Sequence, residues 1–550
     1  MSGMKAYSRA LGRVAVYAVT LAVVLSALSP PASSQSLPQG PAGAGALAPE
    51  SSDLSVVVDE VIVEGGFTEL ADITRDITEF FRGRRTTAGE LEALALLIEQ
   101  LYQQAGYMLV RVTIPPQEVV DGGPFRLLVV DGYIEAVNLD AVPAKSRRYL
   151  ERLLERLVDR PRLTFAEYER AMSLARQAPG MTVRATLVPG QGVGAAVLVV
   201  EGEREAYDGS LNFSSMLSVP TPQWSAAASL HFHQPLGYGE QISLNFSAPF
   251  STLFPQPGQR DRSLSGGATV RWPMDADGFM LQVGVSASEA YMPSPIWLIP
   301  DTRNSLRRVS VQVSKPLELT QASEVRVSAT LERTDQVLDA PDFAAELTRD
   351  GLTVLRLGGS LRRDAADGGS VSLSLELSQG LSGLSRSRED VAKTGVPFSN
   401  PNMNLDFHRV LFTAQWRKPL GAGFTLTSTL RGQFTAAGPL PNSELFGGGG
   451  NSGLPGGVPI IGGGHHGWTL RQQLDREFSL FGQRLRGNVS VFLASGASQG
   501  WGSSGSMTAS ASGVAVSGQV GDVRVRLELN HGTSGTFAGS ALEAGVEVVF

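Results

Sequence analysis

The chain has 550 residues, with 46 Lys and Arg against 53 Asp and Glu, a formal net charge of −7. That mild acidity argues against nucleic acid as a partner. There is no cysteine, which excludes disulfide staples and thiolate metal sites and suits passage through an oxidising periplasm. Glycine is abundant (62 residues), and beyond the N-terminal region no run of eighteen apolar residues occurs. The composition therefore points to many strands and turns rather than to helical membrane spans.

Lys5, Arg9 and Arg13 precede the apolar run Val14 to Leu28, and Ala32 and Ser34 stand at −3 and −1 for a cut before Gln35. Residues 1–34 read as a signal peptide, because a fifteen-residue core is too short to span a bilayer comfortably. Residues 35–55 are rich in Pro, Gly and Ala and read as a disordered linker with no helix in it.

A compact unit is expected over 56–132, with a strand at 56–63 and helices at 70–81 and from Thr87. Thr87 and Glu90 are spaced as a capping box, and Gly106 ends the second helix. Strands are expected at 107–114 and 125–130. The same β-α-α-β-β order recurs over 133–205, with helices at 146–158 and 164–177. The closures VVDG (129–132) and VVEG (199–202) mark the repeat.

From 206 to 550 the pattern changes to period two. In VRVRLELN, Val523, Val525, Leu527 and Leu529 oppose Arg524, Arg526, Glu528 and Asn530. EVRVSATLE (324–332) and VSLSLEL (371–377) repeat the scheme, as does ALEAGVEVVF at 541–550, where the chain stops on Phe550. A charge on a lipid face at mid-membrane costs roughly 2–4 kcal/mol, so the charged faces are assigned to a wet lumen. Sixteen such segments begin near 206, 223, 240, 263, 277, 306, 322, 351, 369, 408, 423, 467, 482, 506, 522 and 541. Long connections at 290–305, 335–350, 381–407, 436–466 and 531–540 each follow an odd-numbered segment, as in a barrel entered from the periplasm. A soluble all-β protein with one wet face per sheet is the alternative.

The first unit, through Gly106, Tyr107, Pro116, Gln117, Asp121, Gly122 and Gly132, resembles the ShlB-type POTRA domain. Two such modules before sixteen strands resemble the TpsB transporters of two-partner secretion. The expected fold class is mixed: two periplasmic α/β POTRA domains (β-α-α-β-β), then a 16-stranded antiparallel transmembrane β-barrel in a Gram-negative outer membrane. The resemblance implies export of a large, unfolded β-helical exoprotein (a TpsA-like client) without nucleotide. It implies outer-membrane lipid as surroundings, the barrel-assembly machinery as a partner through Phe550, and client capture by β-augmentation. Client-binding candidates are Tyr107, Val110, Pro116, Gln117 and Asp121. Pro116, Gly122 and Gly132 are also explained by turn chemistry alone.

The resemblance implies a VRG(Y/F) motif in the loop after the eleventh strand, its Arg meeting an Asp on the barrel wall. Here that loop contains no Arg, with Leu454-Pro455-Gly456-Gly457 in the motif's place, and Ala494-Ser495 stand at the acidic wall position. Loss of both halves together leaves no unpaired charge. A loop held by apolar packing of Leu454, Pro455 and Ile460–Ile461 is expected instead, with Gly456 in the inserted segment. Pore-lining candidates are Arg326, Arg356, Arg524 and Arg526. His465-His466 lack further ligands at metal spacing, Gly447–Gly450 lacks the Lys and Ser/Thr of a phosphate loop, and no catalytic constellation or cofactor motif emerges. A pore for small solutes or polysaccharide, and a barrel-assembly insertase, remain alternative functions.

Overall fold

A computed structural model describes residues 55–216, 223–254, 263–292, 294, 300–447, 454, 463–482, 484–503, 505–532 and 539–550. The signal peptide, residues 35–54 of the linker, Pro455, Gly456, Ile460 and Ile461 lie outside the described residues, and Ser55, assigned to the linker, instead opens the first strand.

The first module comprises β1 (Ser55–Glu64), α1 (Ala71–Glu79), β2 (Arg84–Thr87), α2 (Ala88–Gln104), β3 (Arg111–Thr113) and β4 (Gly123–Val130). Its sheet runs β2-β1-β4-β3, with β1 and β4 parallel. The Thr87/Glu90 capping box starts α2, and its inner face buries Leu94, Ile98 and Tyr102 against Leu127. The strand expected over 107–114 is reduced to three residues. The Tyr107 amide donates to the Tyr102 carbonyl, continuing the helix end rather than a ladder, and its ring packs edge-on against Phe67 at 4.8 Å. Gly132 then admits the Leu109 backbone, since a Cβ there would lie 2.2 Å from that carbonyl oxygen.

The second module has β5 (Tyr133–Ala141), α3 (Ala144–Leu154), α4 (Phe165–Arg176), β6 (Met181–Pro189) and β7 (Ala195–Arg204), in sheet order β5-β7-β6. Thr164 and Glu167 form its capping box. Its core buries Leu150, Leu154, Ala175, Leu198 and Val200 completely.

Sixteen antiparallel strands then close into a barrel. They are β8 (Tyr207–Met216), β9 (Gln223–His233), β10 (Gln241–Pro249), β11 (Leu264–Pro273), β12 (Met280–Met292), β13 (Thr302–Leu319), β14 (Ser323–Ala340) and β15 (Ala345–Asp364). The second half comprises β16 (Ser370–Gly380), β17 (His408–Gly421), β18 (Phe424–Thr435), β19 (His466–Leu480), β20 (Leu485–Gln499), β21 (Ser506–Val520), β22 (Val523–Gly532) and β23 (Gly539–Val549). β23 pairs with β8 through Val546↔Phe213, so the wall has no free edge there.

One expectation fails. Residues 335–350 are not a long connection: β14 and β15 stay paired up to Ala340↔Ala345, joined only by residues 341–344. Beyond the outward pair Leu331↔Leu355 the outer face turns polar at Arg333, Asp335 and Arg349. The lipid pattern therefore stops while backbone pairing continues into water.

Candidate functional site: the barrel lumen and its two ends

Strand alternation decides which side chains meet the lumen. On β22 the outward Val523, Val525, Leu527 and Leu529 are all exposed, as a lipid face requires. Their neighbours pair along the inner face: Arg524 with Glu547 at 3.0 Å, and Arg526 with Glu528. Arg326 bonds Glu324 at 2.7 Å and reaches Gln177 of the second module.

At the periplasmic end the second module is docked on the barrel turns. Arg170 on α4 donates to the carbonyls of Asp277, Pro316 and Leu317. Arg156 pairs with Asp277 at 2.7 Å, and this hydrogen bond holds that carboxyl below its usual range. Leu319, at the end of β13, is part of the module's own apolar core, and Gly278 leaves room for Leu174. Beneath the dock lies a cavity of about 600 Å³, lined by Gln177 and Leu174 from the module and by Arg271, Glu324 and Arg326 from the wall. Burial pushes the Tyr149 phenol at its edge up to about 12.

At the opposite end loops pack inward against the wall. Residues 381–407 carry a short helix, α5 (Arg388–Thr394), and place Phe398 and Met403 on inward-facing Leu352. Phe407 packs with Val354 and Leu440. Asp350 accepts from the Ser399 amide and hydroxyl, and Arg386 donates to the Arg349 and Val396 carbonyls. The loop from β18 to β19 then turns inward. Its 3₁₀ turn Asn442–Glu444 delivers Glu444, 3 % exposed, to two wall arginines. Arg356 donates to both carboxylate oxygens, at 2.7 and 3.1 Å, and Arg409 pairs at 2.7 Å.

These arginines belong to a belt across five consecutive strands: Arg308 on β13, Glu332 on β14, Arg356 on β15, Glu376 on β16 and Arg409 on β17. Each is ion-paired to the next, at 2.7 to 3.5 Å. The wall alone carries three positive and two negative charges, and Glu444 supplies the third negative one. A buried charge left without its partner is costly, so the belt needs an anion from off the wall.

The same loop meets the far wall. Leu454 is fully buried against Ala494, Ala509 and Ala511, small inward residues of β20 and β21. Arg471 lies over the Phe492 ring at 3.9 Å beside them, and Gly513 makes room for that ring. The loop stem is pinned by Phe446, which exchanges backbone hydrogen bonds with Gly464 and rests on Gly467. One loop thus contacts β15 and β21, six strands apart around the wall.

Of the candidates in the first module, Val110 is buried in the core. Gln117 exchanges two 2.8 Å hydrogen bonds with the Arg126 backbone, and Asp121 accepts from the Val57 amide at 2.7 Å. Both fasten the loop between β3 and β4, whose Val119 and Val120 are exposed. Arg356 faces inward, bound within the belt rather than free in the channel. Sequence reading passed over Glu444 because it sought a loop arginine. The one available signal was an acidic residue just ahead of the Phe446-Gly447 frame.

A periplasmic pair of α/β modules joined to a closed sixteen-strand barrel defines an outer-membrane barrel protein with a two-module periplasmic arm. Residues 194–520 match the haemolysin secretion/activation protein family ShlB/FhaC/HecB, and residues 56–132 match the ShlB-type POTRA domain. The chain belongs to the ShlB/FhaC/HecB family, its barrel in the outer membrane and its POTRA modules in the periplasm. It is 22 % identical over 303 residues to the heme/hemopexin transporter protein HuxB of Haemophilus influenzae, covering 52 % of each chain. It thus spans about half the length of the curated relatives it matches. In fold it is similar to CdiB from Escherichia coli (TM-score 0.72, 16 % identity, 94 % of this chain and 93 % of that one). It is also similar to CdiB from Acinetobacter baumannii (TM-score 0.66, 12 % identity, 99 % and 98 %).

Proposed function

We propose that this protein exports one large secreted protein, unfolded and without nucleotide, from the periplasm through the barrel lumen to the cell surface. The observation that carries the reading is the arrangement along one axis. A docked module stands at the inner mouth, and at the outer mouth loops pack inward against the wall. The first module captures the client at the β3–β4 loop, through Pro116 and the exposed Val119 and Val120, and at the other end of β3 through Tyr107. Gln117 and Asp121 hold that loop in place, and Val110 supports it from the core. Arg326, Arg524 and Arg526 line the route. The loop bearing Glu444, Leu454, Pro455 and Gly456 is the outer gate. Phe550, whose ring sits over Gly209 near the periplasmic rim, is the residue offered to the barrel-assembly machinery.

The test compares the culture supernatant and outer-membrane proteomes of wild type and a clean deletion. Loss of one large secreted protein, restored by the wild-type gene, is the expected result. An unchanged supernatant would replace this reading with the small-solute or polysaccharide pore. A depleted set of other barrels would replace it with an insertase.

A further inference from the structure

The outer side of the periplasmic rim holds a cleft that transport does not use. It opens between α3 and the β9–β10 turn, encloses about 260 Å³, and is lined by Arg148, Tyr149, Glu151, Arg152, Glu155 and Tyr238. Its level is fixed by aromatics. Tyr238 stacks on Trp272, with centroids 5.6 Å apart and an interplanar angle of 27°. Trp272 alternates with the exposed Val270 on the outward face of β11. Trp and Tyr rings of this kind mark the boundary between hydrocarbon and water. Leu236 and Met274, at the tips of the neighbouring turns, are 64 % and 51 % exposed, so apolar surface flanks the cleft.

The charges lining the cleft have no counter-ions among the described residues. Arg148 lies over the Tyr238 ring at 4.6 Å and donates to its phenol oxygen. Arg152 lies over the Tyr149 ring at 5.6 Å and donates to the Pro273 carbonyl at 3.4 Å, and its Nε is buried with no hydrogen-bond partner. Among the described residues neither arginine has an ion pair, and neither does Glu151 or Glu155, whereas the adjoining Arg156 is paired with Asp277. Two guanidiniums without counter-ions therefore stand beside two carboxylates without counter-ions on one face of α3 and the turn that follows it. An anionic headgroup would satisfy the arginines and be repelled by the glutamates. A headgroup with a phosphodiester and a primary ammonium satisfies all four, because the ammonium N–H groups donate to carboxylates.

We propose that this cleft binds the headgroup of a zwitterionic aminophospholipid of the periplasmic leaflet. Arg148 and Arg152 hold the phosphodiester, and Glu151 and Glu155 hold the ammonium. The lipid seats the second module against the membrane independently of any client.

The test offers the full chain in detergent short-chain phosphatidylethanolamine, phosphatidylcholine and phosphatidylglycerol, and counts retained lipids by native mass spectrometry. Wild type is expected to keep phosphatidylethanolamine in preference to the other two. R148Q/R152Q should lower that occupancy about tenfold or more, the worth of a charge-assisted hydrogen bond. E151Q/E155Q should still bind lipid but lose the preference. Equal retention of all three lipids by wild type would overturn the proposal, as would full retention by R148Q/R152Q. Should R148Q/R152Q also loosen the module, E151Q/E155Q still decides, because a preference that survives it excludes a headgroup held by those glutamates.

Discussion

The two ends of the lumen are held by different kinds of contact. At the periplasmic end, Arg170 is fixed on three main-chain carbonyls and Leu319 is shared with the core of the second module. Main-chain acceptors cannot swing away, and a shared core does not exchange for water. At the surface end one carboxylate sits on two arginines, and one leucine rests on three alanines. Side-chain ion pairs can be traded for other ions, and a leucine on a shallow patch of small residues withdraws without breaking a backbone. A channel so built has a fixed entrance and a releasable exit.

The largest expected effect comes from Glu444→Ala. It leaves the belt with three arginines and only Glu332 and Glu376 to balance them, a loss of up to roughly 3–5 kcal/mol, the cost of a buried pair broken on one side. Single-channel recordings in planar bilayers should show more frequent large openings, and a conductance histogram identical to wild type would remove the clamp from the argument. Leu454→Ala is the apolar counterpart and should cost about 2–3 kcal/mol. Changing Leu454 and Pro455 together to Gly should alter conductance or export, and an effect on neither would leave Leu454 as mere filling.

Arg170→Ala probes the fixed end. Removing a charged donor from good acceptors costs about 1.5–3 kcal/mol, and limited proteolysis should then cut faster between β7 and β8. An unchanged rate, with Glu444→Ala opening the pore, would sharpen the contrast, because the shared core alone would then hold the entrance.

The smallest effect is one of pH. Burial, with His466 beside it, lowers the His465 pKa from 6.5, and its Nδ1 accepts from the Trp501 amide. A depressed histidine favours the neutral ring, so its contribution to the loop stem is full above pH of about 6.5. It declines as acidification proceeds toward the lower folded value. Trp501 fluorescence should therefore change between neutral pH and mild acid, reversibly, and His465→Gln should reduce the change, leaving the part that comes from His466, which stacks on the same ring.

Much of this architecture was legible in the residues. Lipid tolerates charge on one face only, so strands such as 523–530 announce both their span and their inner side. The capping boxes at Thr87 and Thr164 announce the module helices. The β14–β15 hairpin was missed at its tip because water on both sides imposes no alternation. Glu444 was illegible for another reason: its partner Arg356 lies 88 residues away in sequence, and only strand register and an inward loop bring them together. The placement of Leu454 against Ala494 likewise depends on where β20 and β21 turn their small residues.

The uneven strand lengths have a consequence for what leaves the barrel. β13, β14 and β15 contain 18, 18 and 20 residues, while β8 to β11 contain 9 to 11. At about 3.3 Å per residue and a tilt near 40°, the tallest strand rises some 25 Å above an apolar band about 25 Å high. The rim is a collar cut on a slant, with a stiff parapet on one side and a low sill on the other. Were a polymer exported as proposed, the described strands would give it a tall wall on one side of the mouth and a low one on the other, steering its first steps on the cell surface by masonry rather than by affinity.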